Sequence, residues 1–120
     1  MKILVIEDDS NIRETLKLVL ESENHEVHTA TDGIAGLKSL AQLETPDLIM
    51  TDIIMPKMGG LEFLNSLQSY PEYAKIPVIF LSGEELPQEI NQPFLIKPFS
   101  IDDLIELLSQ YTAQSFAQAA

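Results

Sequence analysis

The chain has no cysteine, so disulfides, thiol nucleophiles and thiolate metal sites are all excluded. Its two histidines, His25 and His28, are too few for a zinc site of the usual type, so any metal here is held by oxygen. Bases are scarce as well. Seven Lys and Arg against 19 Asp and Glu leave a net charge of −12, which repels nucleic acid phosphates and anionic membrane surfaces alike. No apolar run approaches the length of a membrane span, and the N-terminal stretch Met1 to Ile6 meets Glu7, Asp8 and Asp9 before it becomes a signal peptide. The expectation is a soluble, cytoplasmic chain that touches neither nucleic acid nor membrane directly. What is present suffices for one core. A length of 120 residues, 45% hydrophobic and 22% charged, suits one globular domain and leaves no room for two.

Five short apolar runs punctuate the chain: Ile3 to Ile6, Val27 to Ala30, Asp47 to Thr51, Val78 to Leu81 and Phe94 to Ile96. Between them lie helical patterns. Ile12, Leu16, Val19 and Leu20 make one stripe, with Asp9 or Ser10 as N-cap. Ile34, Leu37, Leu40 and Ala41 make a second, and Leu61, Leu64 and Leu67 a third after Gly59-Gly60. The last helix opens with Ser100 and Asp103, a capping-box-like start, and is predicted to bury Ile101, Leu104, Ile105 and Leu108. Strands alternating with helices imply an α/β fold with a parallel sheet covered on both faces. Residues 1–112 are read as the domain, and 113–120, mostly small and polar, as a tail or the start of a linker.

In an open parallel sheet, ligands gather at the carboxyl ends of the strands. The first strand ends in Glu7-Asp8-Asp9, the third in Asp52 and the fifth in Lys97. Acids brought to one rim repel one another unless a cation and a lysine neutralise them, and hard oxygen donors favour magnesium. Helix capping accounts for Asp9. It does not account for Asp52, which precedes Ile53-Ile54-Met55-Pro56 and caps no nearby helix.

Four segments together resemble the receiver domain of two-component response regulators. They are Ile-Leu-Val-Ile-Glu-Asp-Asp at 3 to 9, Asp-Leu-Ile-Met-Thr-Asp-Ile-Ile-Met-Pro-Lys-Met-Gly-Gly at 47 to 60, Ile-Pro-Val-Ile-Phe-Leu-Ser-Gly at 76 to 83, and Lys-Pro-Phe at 97 to 99. The resemblance implies a flavodoxin-like (βα)5 three-layer domain with strand order 2-1-3-4-5. Asp52 then matches the phosphoacceptor. Glu7 and Asp8 match the pair that holds Mg2+, with the backbone carbonyl of Ile54 as a further ligand. Ser82 and Lys97 match the hydroxyl and ammonium that meet the phosphoryl group, and Phe94, three before Lys97, falls on the aromatic switch position. A cis Lys97-Pro98 bond is implied too. The implied partners are a sensor histidine kinase or phosphotransfer protein upstream, and a downstream protein or an output domain. The chain is then a signalling switch rather than an enzyme, and a monomer or weak dimer.

Three departures from the family pattern carry further expectations. Only 15 positions separate Ser82 from Lys97, about two helical turns fewer than usual, so the family's fourth helix is expected to be shortened or absent. Residues 84–106 hold six acids against Lys97 alone, a net of −5, which disfavours a charge-paired dimer there. Apolar Ile54, two past Asp52, cannot position a water, so self-dephosphorylation is expected to be slow. Alternatives are a degenerate receiver that docks partners without phosphorylation and a small magnesium phosphatase. The phosphatase requires Asp where Glu7 stands.

Overall fold

Strand β1, Lys2–Ile6, is apolar on both faces from Ile3 onward, as a strand sandwiched between two layers must be. In the computed structural model it is joined by β2 (Glu26–Ala30), β3 (Leu48–Asp52), β4 (Val78–Ser82) and β5 (Phe94–Ile96). All pairings are parallel, in the order β2-β1-β3-β4-β5. The structure describes residues 1–83 and 91–119, with side chains as far as Thr112 in the last helix. Helices α1 (Ser10–Ser22), α2 (Gly33–Gln42), α3 (Gly60–Gln68) and α4 (Ile101–Ala119) complete the described elements. This is the three-layer, flavodoxin-like α/β architecture that the sequence motifs implied.

Successive strand residues point to opposite faces, so the core divides in two. Ile3, Val5, Met50 and Leu81 pack with Leu16 and Leu20 of α1 and Leu104 and Leu108 of α4. Leu4, Ile6, Ile49 and Phe80 pack with Leu40 of α2 and Phe63 and Leu67 of α3.

The helix starts are set locally. Asp9 accepts from the Asn11 and Ile12 amides at 2.9 and 3.1 Å, Asp32 from Ala35 at 2.9 Å, and Ser100 Oγ from Asp103 at 3.0 Å. Each satisfies amide donors that the first turn leaves unpaired. Asp32 is also buried. Asp32→Ala is therefore expected to lose about 1 kcal/mol in urea denaturation, and an unchanged midpoint would contradict the cap's contribution.

Leu40, Leu67, Leu104 and Leu108 are buried as predicted, but other positions of these faces are not. Ile34, Ala41, Leu61 and Ile101 are exposed, whereas Gly33, Gly36, Gly60 and Phe63 are buried. In α2 and α3 the reason is close approach of backbone to core. At Gly36 an added Cβ would lie 2.5 Å from Ile6 Cδ1 and 3.1 Å from Phe63 Cε1, so the glycine turns its helix face inward. The last helix also continues past Thr112 to Ala119, where the sequence suggested a patternless tail. No Gly or Pro interrupts 101–119, and Ala and Gln propagate a helix well. The shortened fourth helix falls on 84–90, which lie outside the described residues. Among the described residues there is no helix between Ser82 and Phe94. His25 is half-buried and lies 3.1 Å from the Met1 ammonium through Nδ1. Burial, followed by that neighbouring positive charge, lowers its pKa.

Candidate functional site

Register brings the strand ends level. Ile6 pairs with Thr51, so Glu7 and Asp52 emerge side by side from β1 and β3. Asp52 pairs with Leu81 and Ser82 with Ile96, which sets Ser82 and Lys97 one step further along the same rim. The Lys97 amide donates to the Ser82 carbonyl at 2.6 Å, tying the two strand ends together. Residues as far apart as 7 and 97 thereby line one edge at the carboxyl ends of the strands.

The loop after β3 is pressed onto this edge. Gly60 N–H donates to the Ile53 carbonyl at 2.8 Å, and Gly33 N–H to the Met58 carbonyl at 2.9 Å. Both glycines stand where no side chain fits: a Cβ on Gly60 would sit 2.2 Å from the Asp52 carbonyl oxygen, and one on Gly33 2.6 Å from Met58 Cγ. The sequence marked Gly59-Gly60 as a helix-starting device. The structure adds that Gly60 lets α3 begin against the backbone of Asp52.

Both oxygens of Asp52 are held. Oδ1 accepts from the Ile53 amide at 2.8 Å, and Oδ2 accepts from Lys97 Nζ at 3.1 Å. Lys97 Nζ also donates to Glu7 Oε1 and Oε2 at 3.0 and 3.2 Å. The lysine, which the sequence reading paired with an incoming phosphoryl group, thus bridges two carboxylates. Glu7 is fully buried and Asp52 is 9% exposed. Burial pushes the Glu7 carboxyl up to about 7; the Lys97 hydrogen bond opposes this and the Asp52 charge adds to it. Burial works against the Lys97 ammonium, but its bonds to Glu7 and Asp52 prevail and raise its pKa.

Asp8 is exposed and stands beside these groups. Glu7, Asp8 and Asp52 each offer an oxygen, all within 4.8 Å of one another, a hard-donor set that could hold a metal ion. Ser82 is buried at the end of β4. Phe94 opens β5 opposite Phe80 and is 41% exposed, so it is no core residue. Ile54 turns an 80% exposed side chain to solvent, and the Lys97-Pro98 bond is cis.

The family model described as "Response regulator receiver domain" matches residues 3–109. The chain belongs to the response regulator receiver domain family. Receiver domains of this kind are the phosphorylation-dependent signalling modules of two-component systems. Among its relatives, this receiver is 34% identical over 111 residues to the DNA-binding dual master transcriptional regulator RpaA of Synechocystis, covering 87% of this chain and 46% of that protein. It is 32% identical to the autoinducer sensor kinase/phosphatase CqsS of Vibrio cholerae, covering 92% of this chain and 17% of that one. The receiver thus spans about half the length, or less, of the curated relatives it matches. Among solved structures, the N-terminal domain of a Wolinella succinogenes protein is 36% identical with a TM-score of 0.86, covering 98% of each chain. Thermotoga maritima TrrA, solved in complex with Mg2+ and BeF, is 30% identical with a TM-score of 0.80, covering 92% of this receiver and 97% of that chain. Among the described residues no helix is long and apolar enough to cross a membrane.

Proposed function

We propose that this receiver accepts a phosphoryl group on Asp52 from the phosphohistidine of a histidine kinase or phosphotransfer protein, and that the aspartyl phosphate switches a downstream protein or output domain. The observation that carries this reading is the Asp52 carboxylate. It is nearly buried, has Glu7 and Asp8 oxygens within 4.8 Å, and has the Lys97 ammonium at 3.1 Å. A carboxylate oxygen of Asp52 bonds phosphorus as the phosphorus–nitrogen bond of the donor breaks. Glu7, Asp8 and Asp52, with the Ile54 carbonyl, would hold Mg2+, which offsets the charge between carboxylate and phosphoryl group when bound. Lys97 then meets a phosphoryl oxygen with its mobile point charge, and Ser82 supplies a hydroxyl. Ser82 moving toward the phosphoryl group, with Phe94 turning beside it, is the reading's switch. The acidic surface suits protein partners in the cytoplasm rather than nucleic acid.

Intact-mass measurement after treatment with a small-molecule phosphodonor and magnesium tests this. Wild type is expected to gain one phosphoryl group and Asp52→Asn none. No adduct on wild type, or an equal adduct on the variant, would defeat the assignment and leave a docking module that works without phosphorylation. The adduct should also persist, because the apolar side chain of Ile54 cannot orient a water for hydrolysis. Its decay is followed by mass after the donor is removed, and loss within seconds would contradict this.

A further inference from the structure

Arg13 is the only arginine in the chain. It lies on the first turns of α1, half-buried, and its Nη1 donates to the Glu7 carbonyl at 2.9 Å and reaches the Asp8 carbonyl at 3.4 Å. Among the described residues it forms no ion pair with a carboxylate. Its charge is directed at main-chain oxygens of the two acidic positions. Among the described residues, the turn's main chain is otherwise fastened by Glu7 N–H to the Ala30 carbonyl at 3.0 Å and by Asp9 capping α1, while Lys97 holds the Glu7 carboxylate. Between those points, the carbonyls of Glu7 and Asp8 have the guanidinium as their side-chain donor. A planar, permanently charged group is suited to fix two neighbouring carbonyls at once.

We infer that Arg13 is a positioning residue for the cation site: by clamping the Glu7 and Asp8 carbonyls it fixes the turn that points both carboxylates toward Asp52. It touches no reacting atom. The inference rests on the proposed magnesium role of Glu7 and Asp8, and goes beyond it by assigning a residue that holds the site from outside.

Magnesium affinity is measured by calorimetric titration of wild type, Arg13→Met and Arg13→Lys, with no phosphodonor present, alongside urea stability without metal. Outer partners of metal ligands typically change affinity by about 10–100-fold. Arg13→Met is expected to bind magnesium about tenfold or more weakly, and Arg13→Lys, which keeps the charge and can reach one carbonyl, to recover part of that loss. Equal affinity in wild type and Arg13→Met overturns the inference. So does a weakening that Arg13→Lys fails to relieve while its metal-free stability matches wild type. If wild type itself binds no magnesium, the reading of Glu7 and Asp8 fails instead, and the inference fails with it. Should Arg13→Met not fold, the comparison of Arg13→Lys with wild type decides, with unchanged affinity counting against the inference.

Discussion

Lys97→Met is expected to lose about 3 kcal/mol of folding stability at pH 8, less at pH 6, and to recover much of the loss in magnesium. Three carboxylate oxygens lie 3.0 to 3.2 Å from the Lys97 ammonium, two on fully buried Glu7 and one on Asp52. Removing the lysine leaves two adjacent buried charges with no counter-charge, the situation in which breaking a pair costs most. The pH dependence has a definite sign. Glu7 titrates at about 7 in the folded protein, against an ordinary value of 4.5. Between those values the folded protein binds a proton that the unfolded chain does not, so Glu7 contributes stability at low pH that is lost as pH rises through about 7. In the variant the hydrogen bond and charge that lower this pKa are gone, so the loss extends to higher pH. At pH 6 Glu7 is mostly neutral in both proteins and the difference between them shrinks. A cation that binds only the folded state replaces the missing charge. Urea denaturation of both proteins at pH 6 and pH 8, with and without magnesium, measures this. A penalty equal at both pH values would show that Lys97 acts through something other than the Glu7 charge.

Gly60→Ala is expected to be the most damaging single methyl addition at the site. The new Cβ would lie 2.2 Å from the Asp52 carbonyl oxygen and 3.1 Å from both the Asp52 carbonyl carbon and Ile53 Cα. All three are backbone atoms at the end of a buried strand, with no flexible side chain to move aside. Overpacking of this sort costs about 1–3 kcal/mol, and the upper end is expected here. The clash also pushes directly on Asp52, the proposed phosphoacceptor. A misplacement of about 1 Å can cost about 10²-fold in rate, so the phosphorylation rate should fall further than the folded fraction does. Gly83→Ala is the internal comparison. Among the described residues no atom beyond its chain neighbours lies within 4 Å of its Cβ position, so its stability should stay within about 0.5 kcal/mol of wild type. Equal melting temperatures and equal phosphorylation rates for the two variants would refute the close-approach explanation.

The sequence by itself determined the element order and the helix caps, and it singled out the acids, Ser82 and Lys97 as the candidate site. These depend on neighbours along the chain: Asp9 and Ser100 cap because the amides they satisfy lie two or three residues on. Strand boundaries were legible to within about two residues, since each apolar run is bounded by polar or turn residues. Asp52 stood out because no local role explained it. The strand order came from resemblance to a family rather than from periodicity, which carries no information about which strands are neighbours.

Tertiary structure alone decided how the helices are rotated and which charges meet. Leu61 and Ile34 have the spacing of core residues, yet Phe63, Gly36 and Gly60 face inward, because the shape of the sheet surface selects the side that can approach most closely. The bridge from Lys97 to Glu7 spans 90 positions and depends on the register of four strands, so no local pattern could reveal it. Arg13 was invisible for a related reason: it binds carbonyl oxygens, which every residue carries, and only the turn's geometry shows that it holds those of Glu7 and Asp8.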